Sequence, residues 1–394
     1  MTPAARLQAA IELVDEIAAA ARGGGAAADV LVARYFKTRR YAGSKDRRAI
    51  RDLVYDAIRR SERAPESGRQ ALLGLAVDRP ELLALFDGSS YGPAPIAEAE
   101  RAQPARAMPE WLRSAFSPQL DAADIASLAG RAPLDLRVNS MHATRDELLP
   151  QFEGAAPGAL ADRAIRLETH PDLESHPAWR DGLVDIQDEG SQLVADACGA
   201  GAGMTIVDLC AGAGGKSLAL YDRIGGEGRI VACDTDRKRL SRLAPRAERC
   251  RMPGIETRLL DPGKEMAALA GLRAAADIVL VDAPCSGTGT WRRNPEARWR
   301  LSEERLAGLV ETQQHILDIA AELVRPGGIL VYAVCSLLES EGEGQISTFL
   351  ASRSAFRKQA PDKVVGLPAG DGFLLTPARH GTDGFFFARL VQSC

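Results

Sequence analysis

Thr205-Ile-Val-Asp-Leu-Cys210-Ala-Gly-Ala-Gly214-Gly-Lys216-Ser217 passes from a short β-branched run through a glycine-rich turn into a stretch that reads as helix. Glycines there let the backbone approach a ligand closely, and the helix start offers unpaired amide donors. Downstream, residues 228–234, 255–261, 277–282 and 329–335 repeat the short β-branched pattern, with helical stretches between them. The clearest helix has Leu306, Leu309, Val310, Ile316, Leu317, Leu323 and Val324 on one broad face. Ser302 is its expected N-cap, and Arg325-Pro-Gly-Gly328 its stop. Strands and helices alternating from about residue 184 predict a mostly parallel, doubly wound, Rossmann-like α/β sheet. The last run, 385–391, reads as a closing strand paired antiparallel with 373–375.

Towards the amino terminus the texture changes. Leu134-Asp-Leu-Arg-Val138 alternates like a strand, Thr144-Arg-Asp-Glu147 has the form of a capping box, and Ala164-Ile-Arg-Leu167 alternates again. Residues 131–183 therefore read as a small α/β module, too small to be very stable alone. Residues 1–130 read as helical, with apolar side chains at three-to-four spacing such as Ile11, Val14, Ile17 and Ile50, Val54, Ile58. Gly23–Gly25 breaks that pattern, residues 87–109 form a Pro/Gly-rich connection, and a short helical stretch follows near 111–128. The third domain is then 184–394.

Bulk properties bound the function. A chain of 394 residues suits two or three domains. A net charge of −4 and a pI near 5.9 give no global sign of nucleic-acid binding, so such a case rests on local patches. The amino-terminal apolar stretch contains acids, which fits an amphipathic helix and not a signal peptide, and no run suits a bilayer span. Seven scattered cysteines point to a reducing cytoplasm and against a disulfide framework. His142, His170, His176, His315 and His380 are dispersed and there is no CxxC, which argues against a metal site. The expectation is a cytoplasmic, metal-free monomer.

Three ligands compete for the glycine turn. A P-loop needs glycine where Cys210 stands, and a dinucleotide fingerprint needs glycine where Ser217 stands. S-adenosylmethionine also uses a glycine turn after the first strand and an acid after the second. Asp234 ends the second predicted strand, with Asp236 close by, and Asp261 ends the third. Acids ending successive strands favour S-adenosylmethionine.

Two cysteines follow strand-like runs: Ile278-Val-Leu-Val-Asp282-Ala-Pro284-Cys285-Ser-Gly-Thr-Gly289 and Ile329-Leu-Val-Tyr-Ala-Val-Cys335-Ser336. A single cysteine is more often a small buried hydrophobe. Two delivered to the carboxyl edge of one sheet, beside Asp282, suit covalent chemistry. Carbon 5 of a pyrimidine is a poor nucleophile until a thiolate adds at carbon 6 and makes an enamine. A second thiolate or another base can then accept the carbon-5 proton. Asp282 is spaced to hydrogen-bond the ring, or else simply closes the loop; Lys216 is either a contact to the base or a solvated helix-start lysine.

Together, residues 208–217, 282–289, Arg292-Arg-Asn-Pro-Glu-Ala-Arg-Trp299, 332–336 and Asp383-Gly-Phe-Phe-Phe387 resemble the NOL/NOP2/Sun family of RNA cytosine-5 methyltransferases. Ile186-Gln-Asp-Glu-Gly-Ser-Gln192 is similar to the segment before that family's cofactor turn. The resemblance runs in order over about residues 131–392. It implies a ferredoxin/RRM-like module before the catalytic domain, Cys335 as nucleophile and Cys285 as the thiol that assists product release. It also implies cofactor contacts at Cys210, Ala211, Gly212, Ala213, Gly214, Gly215, Lys216, Asp234, Asp261 and Asp282. The family's turn commonly has Ala-Pro where Gly212-Ala213 stands, and threonine where Val334 stands. Residues 41–60 are similar to the NusB-like RNA-binding domain of bacterial RsmB/Sun enzymes, which methylate small-subunit (16S) ribosomal RNA.

Residues 34–60 are rich in cations, including Arg39, Arg40, Lys45, Arg47 and Arg48, interleaved with Tyr35, Phe36 and Tyr41. Such a face suits phosphate contact and base stacking, or is merely solvated. Arg292 and Arg293 follow the Cys285 loop and are candidates to hold RNA at the site; residues 237–251 read as a solvated basic helix. The rivals to an rRNA methyltransferase are a transfer-RNA or exocyclic-amine methyltransferase on the same fold, and an RNA-binding assembly factor with vestigial catalysis.

Overall fold

The computed structural model describes residues 1–106, 108–169 and 171–394; His170, and Ala107 of the 87–109 connection, lie outside the described residues. The chain forms two compact units, Met1–Phe116 with Thr290–Glu303, and Ser117–Gly289 with Glu304–Cys394.

The first unit is helical, with α1 (Pro3–Arg22), α2 (Ala28–Thr38), α3 (Ser44–Arg59) and α4 (Gly68–Asp78). α1 opens on Thr2, whose side chain accepts the Ala5 N–H, with Pro3 preset for the first turn. Leu7, Leu13, Val14 and Ile17 of α1 share a core with Leu31, Ile50, Val54, Ile58 and Leu72. Each such burial contributes roughly 1.5–3 kcal/mol. A Cβ on Gly68 would lie 2.1 Å from the Ile11 carbonyl oxygen, so only glycine lets α4 start this close to α1. Tyr35 and Phe36 belong to this core, at 7% and 3% exposure. They are not stacking platforms for bases; of the three aromatics expected there, only Tyr41 is exposed.

The segment Thr290–Glu303 completes the helical unit, a partnership with no local sequence signal. Glu296 accepts the Ala28 N–H at the start of α2 (3.0 Å), and Trp299 Nε1 donates to the Ser61 carbonyl (2.8 Å). Arg298 donates to the carbonyls of Ile58 and Arg59, and Arg300 to those of Gly25 and Ala26. These two arginines fasten helix ends.

The second unit contains β1 (Leu134–Val138), β2 (Ala155–Pro157), β3 (Ala164–Leu167), β4 (Val184–Ile186), β5 (Thr205–Asp208), β6 (Arg229–Asp234), β7 (Ile255–Leu259), β8 (Ala276–Asp282), β9 (Val324–Val334), β10 (Phe356–Lys358), β11 (Leu367–Ala369), β12 (Gly372–Leu375) and β13 (Phe385–Gln392). Among the described residues β1–β4 make a four-stranded antiparallel sheet in the order β2-β3-β1-β4. The remaining strands form a nine-stranded sheet, β11-β12-β13-β9-β8-β5-β6-β7, with β10 on β13. β7, β6, β5, β8 and β9 pair in parallel, and β13 runs antiparallel between β9 and β12. This is the expected Rossmann-like doubly wound α/β sheet. Its central strands are buried on both faces, which explains their near-continuous Val/Ile/Leu/Ala runs. β5 has β6 on one side and β8 on the other, so the crossovers diverge there and open a crevice at the carboxyl edge.

Two local expectations change. The long helix is Glu303–Leu323, and Val324 already belongs to β9, paired with Ala276. Its buried line is Gln313, Leu317, Ile319, Ala320 and Leu323, while Leu306, Leu309, Val310 and Ile316 are only half-buried. Residues 237–251 are not merely solvated. Arg246 Nε and Arg249 Nη2 both reach the buried Asp185 of β4, at 3.0 and 2.6 Å, and Arg249 stacks 3.7 Å from the Trp179 ring centre. Long apolar stems with forked donors let arginine serve both surfaces at once.

A second buried ionic group lies beside it. Asp222 accepts from Arg137 (3.1 Å), Arg163 (2.8 Å) and the Ser140 hydroxyl (2.8 Å), and its side chain is wholly buried. Removing one partner leaves guanidinium charge in a desolvated place. Asp222→Ala is therefore expected to cost about 3–5 kcal/mol in urea denaturation, against less than about 0.5 kcal/mol for Asp162→Ala, whose side chain is 84% exposed.

Candidate active site

β5 ends at Asp208 and the chain turns through Gly212 and Gly214, whose φ angles of 56° and 84° are left-handed and favour glycine. Gly214 caps the helix Gly215–Arg223. Both oxygens of Asp234 hold backbone: Oδ2 accepts the Gly212 N–H (2.7 Å) and Oδ1 that of Asp236 (2.7 Å). Asp236 instead caps the helix Arg237–Leu240. Asp261 lies just beyond β7 and is exposed.

Asp208 is buried, accepts the Ser217 hydroxyl at 2.6 Å, and is pushed up to about 7 by burial, against the Ser217 hydrogen bond. Burial raises the Cys210 thiol as well, helped by the charges of Asp208, Asp282 and Asp234, which therefore gather around one turn. Three carboxylates around a small-residue turn fit a cationic ligand carrying sulfonium, ammonium and ribose hydroxyl groups, as S-adenosylmethionine does.

The parallel register sets Asp282 of β8 opposite Ala333 of β9. Cys285 lies three residues past its strand end and Cys335 one past its own, and their Sγ atoms come within 3.4 Å of each other. Lys216, in the first turn after the glycines, donates to Asp282 Oδ2 at 2.8 Å. It is 8% exposed, so it is no solvated helix-start lysine. Burial opposes its charge, but the Asp282 carboxylate more than compensates, and the net shift is upward; Cys335 is also within its electrostatic reach. The Cys285 thiol is raised by its hydrogen bond with Cys335, then by burial and by the charges of Cys335 and Glu341.

Sequence reasoning missed Glu341 and Gln313. Glu341 is wholly buried and accepts the Ser286 N–H (2.8 Å), both serine hydroxyls of Ser286 and Ser336, and Gln313 Nε2 (2.9 Å). Gln313 also donates to the Pro284 carbonyl at 2.9 Å. A glutamate six residues past a cysteine reads as a surface turn. The only available signal was its company of serines, which is weak. Gly289 passes so near Gly384 that a Cβ would sit 2.0 Å from the Gly384 oxygen.

Among the RNA-contact candidates, Arg40, Lys45 and Arg48 are exposed. Arg39 lies 3.7 Å over the Tyr35 ring, and Arg47 donates to the Ala42 carbonyl at 2.8 Å. Arg292 is 5% exposed and Arg293 half-buried, so Arg292 does not present its charge to solvent. Among the described residues no group of three or more His, Cys, Asp or Glu side chains could hold a metal ion, and no helix is long and apolar enough to cross a membrane.

Asp208 gives a pH test. Its folded value lies above that of an unfolded carboxylate, so its contribution to stability is complete below about pH 4 and lost as pH rises through about 7. Asp208→Asn is expected to gain stability relative to wild type between pH 5 and 8, on the order of a few kcal/mol, in urea melts at both pH values. A difference that stays flat with pH contradicts the assignment.

Residues 200–391 match the family model described as 16S rRNA methyltransferase RsmB/F. The chain is 33% identical over 333 residues to ribosomal RNA small subunit methyltransferase B of Sodalis glossinidius, covering 81% of this chain and 74% of that protein. It is 33% identical over 302 residues to the protein of the same name from Xylella fastidiosa, covering 76% and 69%. Among solved structures, a methyltransferase homolog protein from Pyrococcus horikoshii is 25% identical, with a TM-score of 0.58 over 68% of this chain and 90% of that one. PH0851, at 22% identity, aligns with a TM-score of 0.79 over 99% of both chains, a likeness of fold. With two relatives above 30% identity sharing most of their length with it, and with its paired thiols on a Rossmann-like sheet, the chain belongs to the RsmB/F family of 16S rRNA methyltransferases.

Proposed function

We propose that this enzyme methylates carbon 5 of a cytosine in RNA, with small-subunit (16S) ribosomal RNA as substrate, through a covalent adduct to Cys335. The observation that carries the reading is the contact of two thiols, 3.4 Å apart, beside the Lys216–Asp282 pair. An exocyclic-amine methylator has no use for such a pair. S-adenosylmethionine, when bound, supplies the methyl group from its sulfonium. The turn Cys210–Lys216, with Asp234, Asp261 and Asp282, holds it, and the carboxylates suit its positive charge.

The Cys335 thiolate adds to carbon 6 of the base. Addition makes carbon 5 an enamine carbon, able to take the methyl group. Asp282 and Lys216 hydrogen-bond the ring and stabilise the adduct. The carbon-5 proton then leaves to a base, the carbon–sulfur bond breaks, and the aromatic ring and the Cys335 thiolate are restored.

Cys285 suits the role of that base. In the resting enzyme the hydrogen bond and charge of Cys335 hold it as a thiol. Once the Cys335 sulfur is bonded to carbon, its charge no longer opposes ionisation of Cys285. The two thiols thus take turns. Exposed Arg40, Lys45 and Arg48 on the helical unit suit phosphate contact, and the target base must be unstacked to reach a half-buried thiol.

The test is trapping. Cys285→Ala is expected to accumulate a protein–RNA adduct on denaturing gels, with turnover reduced at least about 100-fold. Cys335→Ala is expected to form none and to lose methylation by at least about 1000-fold, while still binding S-adenosylmethionine in calorimetry. Full activity in Cys335→Ala sinks the covalent mechanism, and failure of the wild type to bind S-adenosylmethionine favours an assembly factor.

A further inference from the structure

We propose that Glu341 is a positioning residue of this reaction: its buried carboxylate clamps the two cysteine-bearing turns so that the thiols meet. The proposal deepens the covalent reading above and rests on it. Cys285 is followed by Ser286 and Cys335 by Ser336, and both serine hydroxyls donate to Glu341 Oε2. The Ser286 N–H and Gln313 Nε2 donate to Oε1, at 2.8 and 2.9 Å. A carboxylate offers about four acceptor sites and no donor, and four donors fill them here. Each turn is thus held through the residue next to its thiol.

The clamp is itself anchored. Tyr332 of β9 donates its hydroxyl to the Glu341 carbonyl (2.8 Å), which ties Glu341 to the strand that delivers Cys335. Gln313 grips the Pro284 carbonyl with the same amide group that reaches Glu341, which ties it to the turn that delivers Cys285. Other links also join the turns: the Ser286 and Ser336 hydroxyls meet at 3.0 Å, and Thr288 Oγ1 and Ser336 Oγ at 3.2 Å. The Gly289 N–H donates to the Cys335 carbonyl (3.0 Å) and the Leu337 N–H to Thr288 Oγ1 (2.9 Å). Glu341 gathers the hydroxyls of both serines on one carboxylate. An amide at position 341 turns one acceptor oxygen into a donor facing donors. That loosens the turns without emptying the site.

The experiment uses the full chain carrying Cys394→Ser, which removes the exposed thiol. Diamide takes two electrons and two protons from a thiol pair, leaving a disulfide and the reduced hydrazide. The rate of the Cys285–Cys335 link, read by peptide mass spectrometry, reports thiol placement without any catalysis. In Glu341→Gln the link is expected to form about 10-fold more slowly, and kcat on a small-subunit rRNA transcript to fall about 100-fold, with KM for RNA and S-adenosylmethionine within about twofold. A wild-type oxidation rate, or a loss confined to KM, overturns the proposal. If Glu341→Gln does not fold, the paired Ser286→Ala and Ser336→Ala changes remove two of its four donors, one from each turn, and carry the same expectations. Wild-type methylation that persists in Cys335→Ala sinks the covalent reading and the proposal with it, whereas the oxidation rate judges the clamp alone.

Discussion

The in-register parallel pairing of β8 with β9 is the constraint on which the site depends. Asp282 lies opposite Ala333, so the two chains leave the sheet side by side and two cysteines fifty positions apart arrive at one place. A one-residue slip would turn each side chain to the opposite face of the sheet. That register is held by the buried Val, Ile and Leu side chains of both strands, with β5 packed on the far side of β8 and β13 on that of β9. Hydrophobic burial, which is non-directional, therefore fixes a directional chemical geometry.

Polar groups then refine what the sheet delivers. Asp234 holds the glycine turn to the end of β6, Lys216 joins the first helix turn to the end of β8, and Glu341 draws the two cysteine turns together. All three are charged groups taken out of water, which is costly unless their hydrogen-bonding capacity is filled. Glu341 meets four donors, Asp234 two backbone N–H groups, and Lys216 the Asp282 carboxylate. Glycine turn and thiols are thereby tied to the same four strand ends.

Much of this was legible in the sequence. The alternation of short β-branched runs with helices gave the sheet, because buried parallel strands have few other compositions. The Asp282-Ala-Pro-Cys285 and Val334-Cys335 junctions were readable because a polar or nucleophilic residue directly after a buried strand has few structural uses. What was hidden depended on tertiary neighbours. Tyr35 and Phe36 stand among cations in sequence, yet helical periodicity turns them inward. Arg246 and Arg249 look like a solvated face until β4 brings Asp185 beneath them. Glu341 lies in an acidic run whose burial no local pattern announces.

The helical unit is discontinuous in the chain: Glu296 caps the start of α2, Trp299 packs on its core, and Arg298 and Arg300 fasten its carbonyls. During synthesis, α1 to α4 are made more than two hundred residues before those partners, since α4 ends at Asp78 and the first partner is Glu296. By then β5 to β8 of the nine-stranded sheet have been made, while β9 to β13 have not. A segment far along the sequence therefore completes the core of the amino-terminal helical unit.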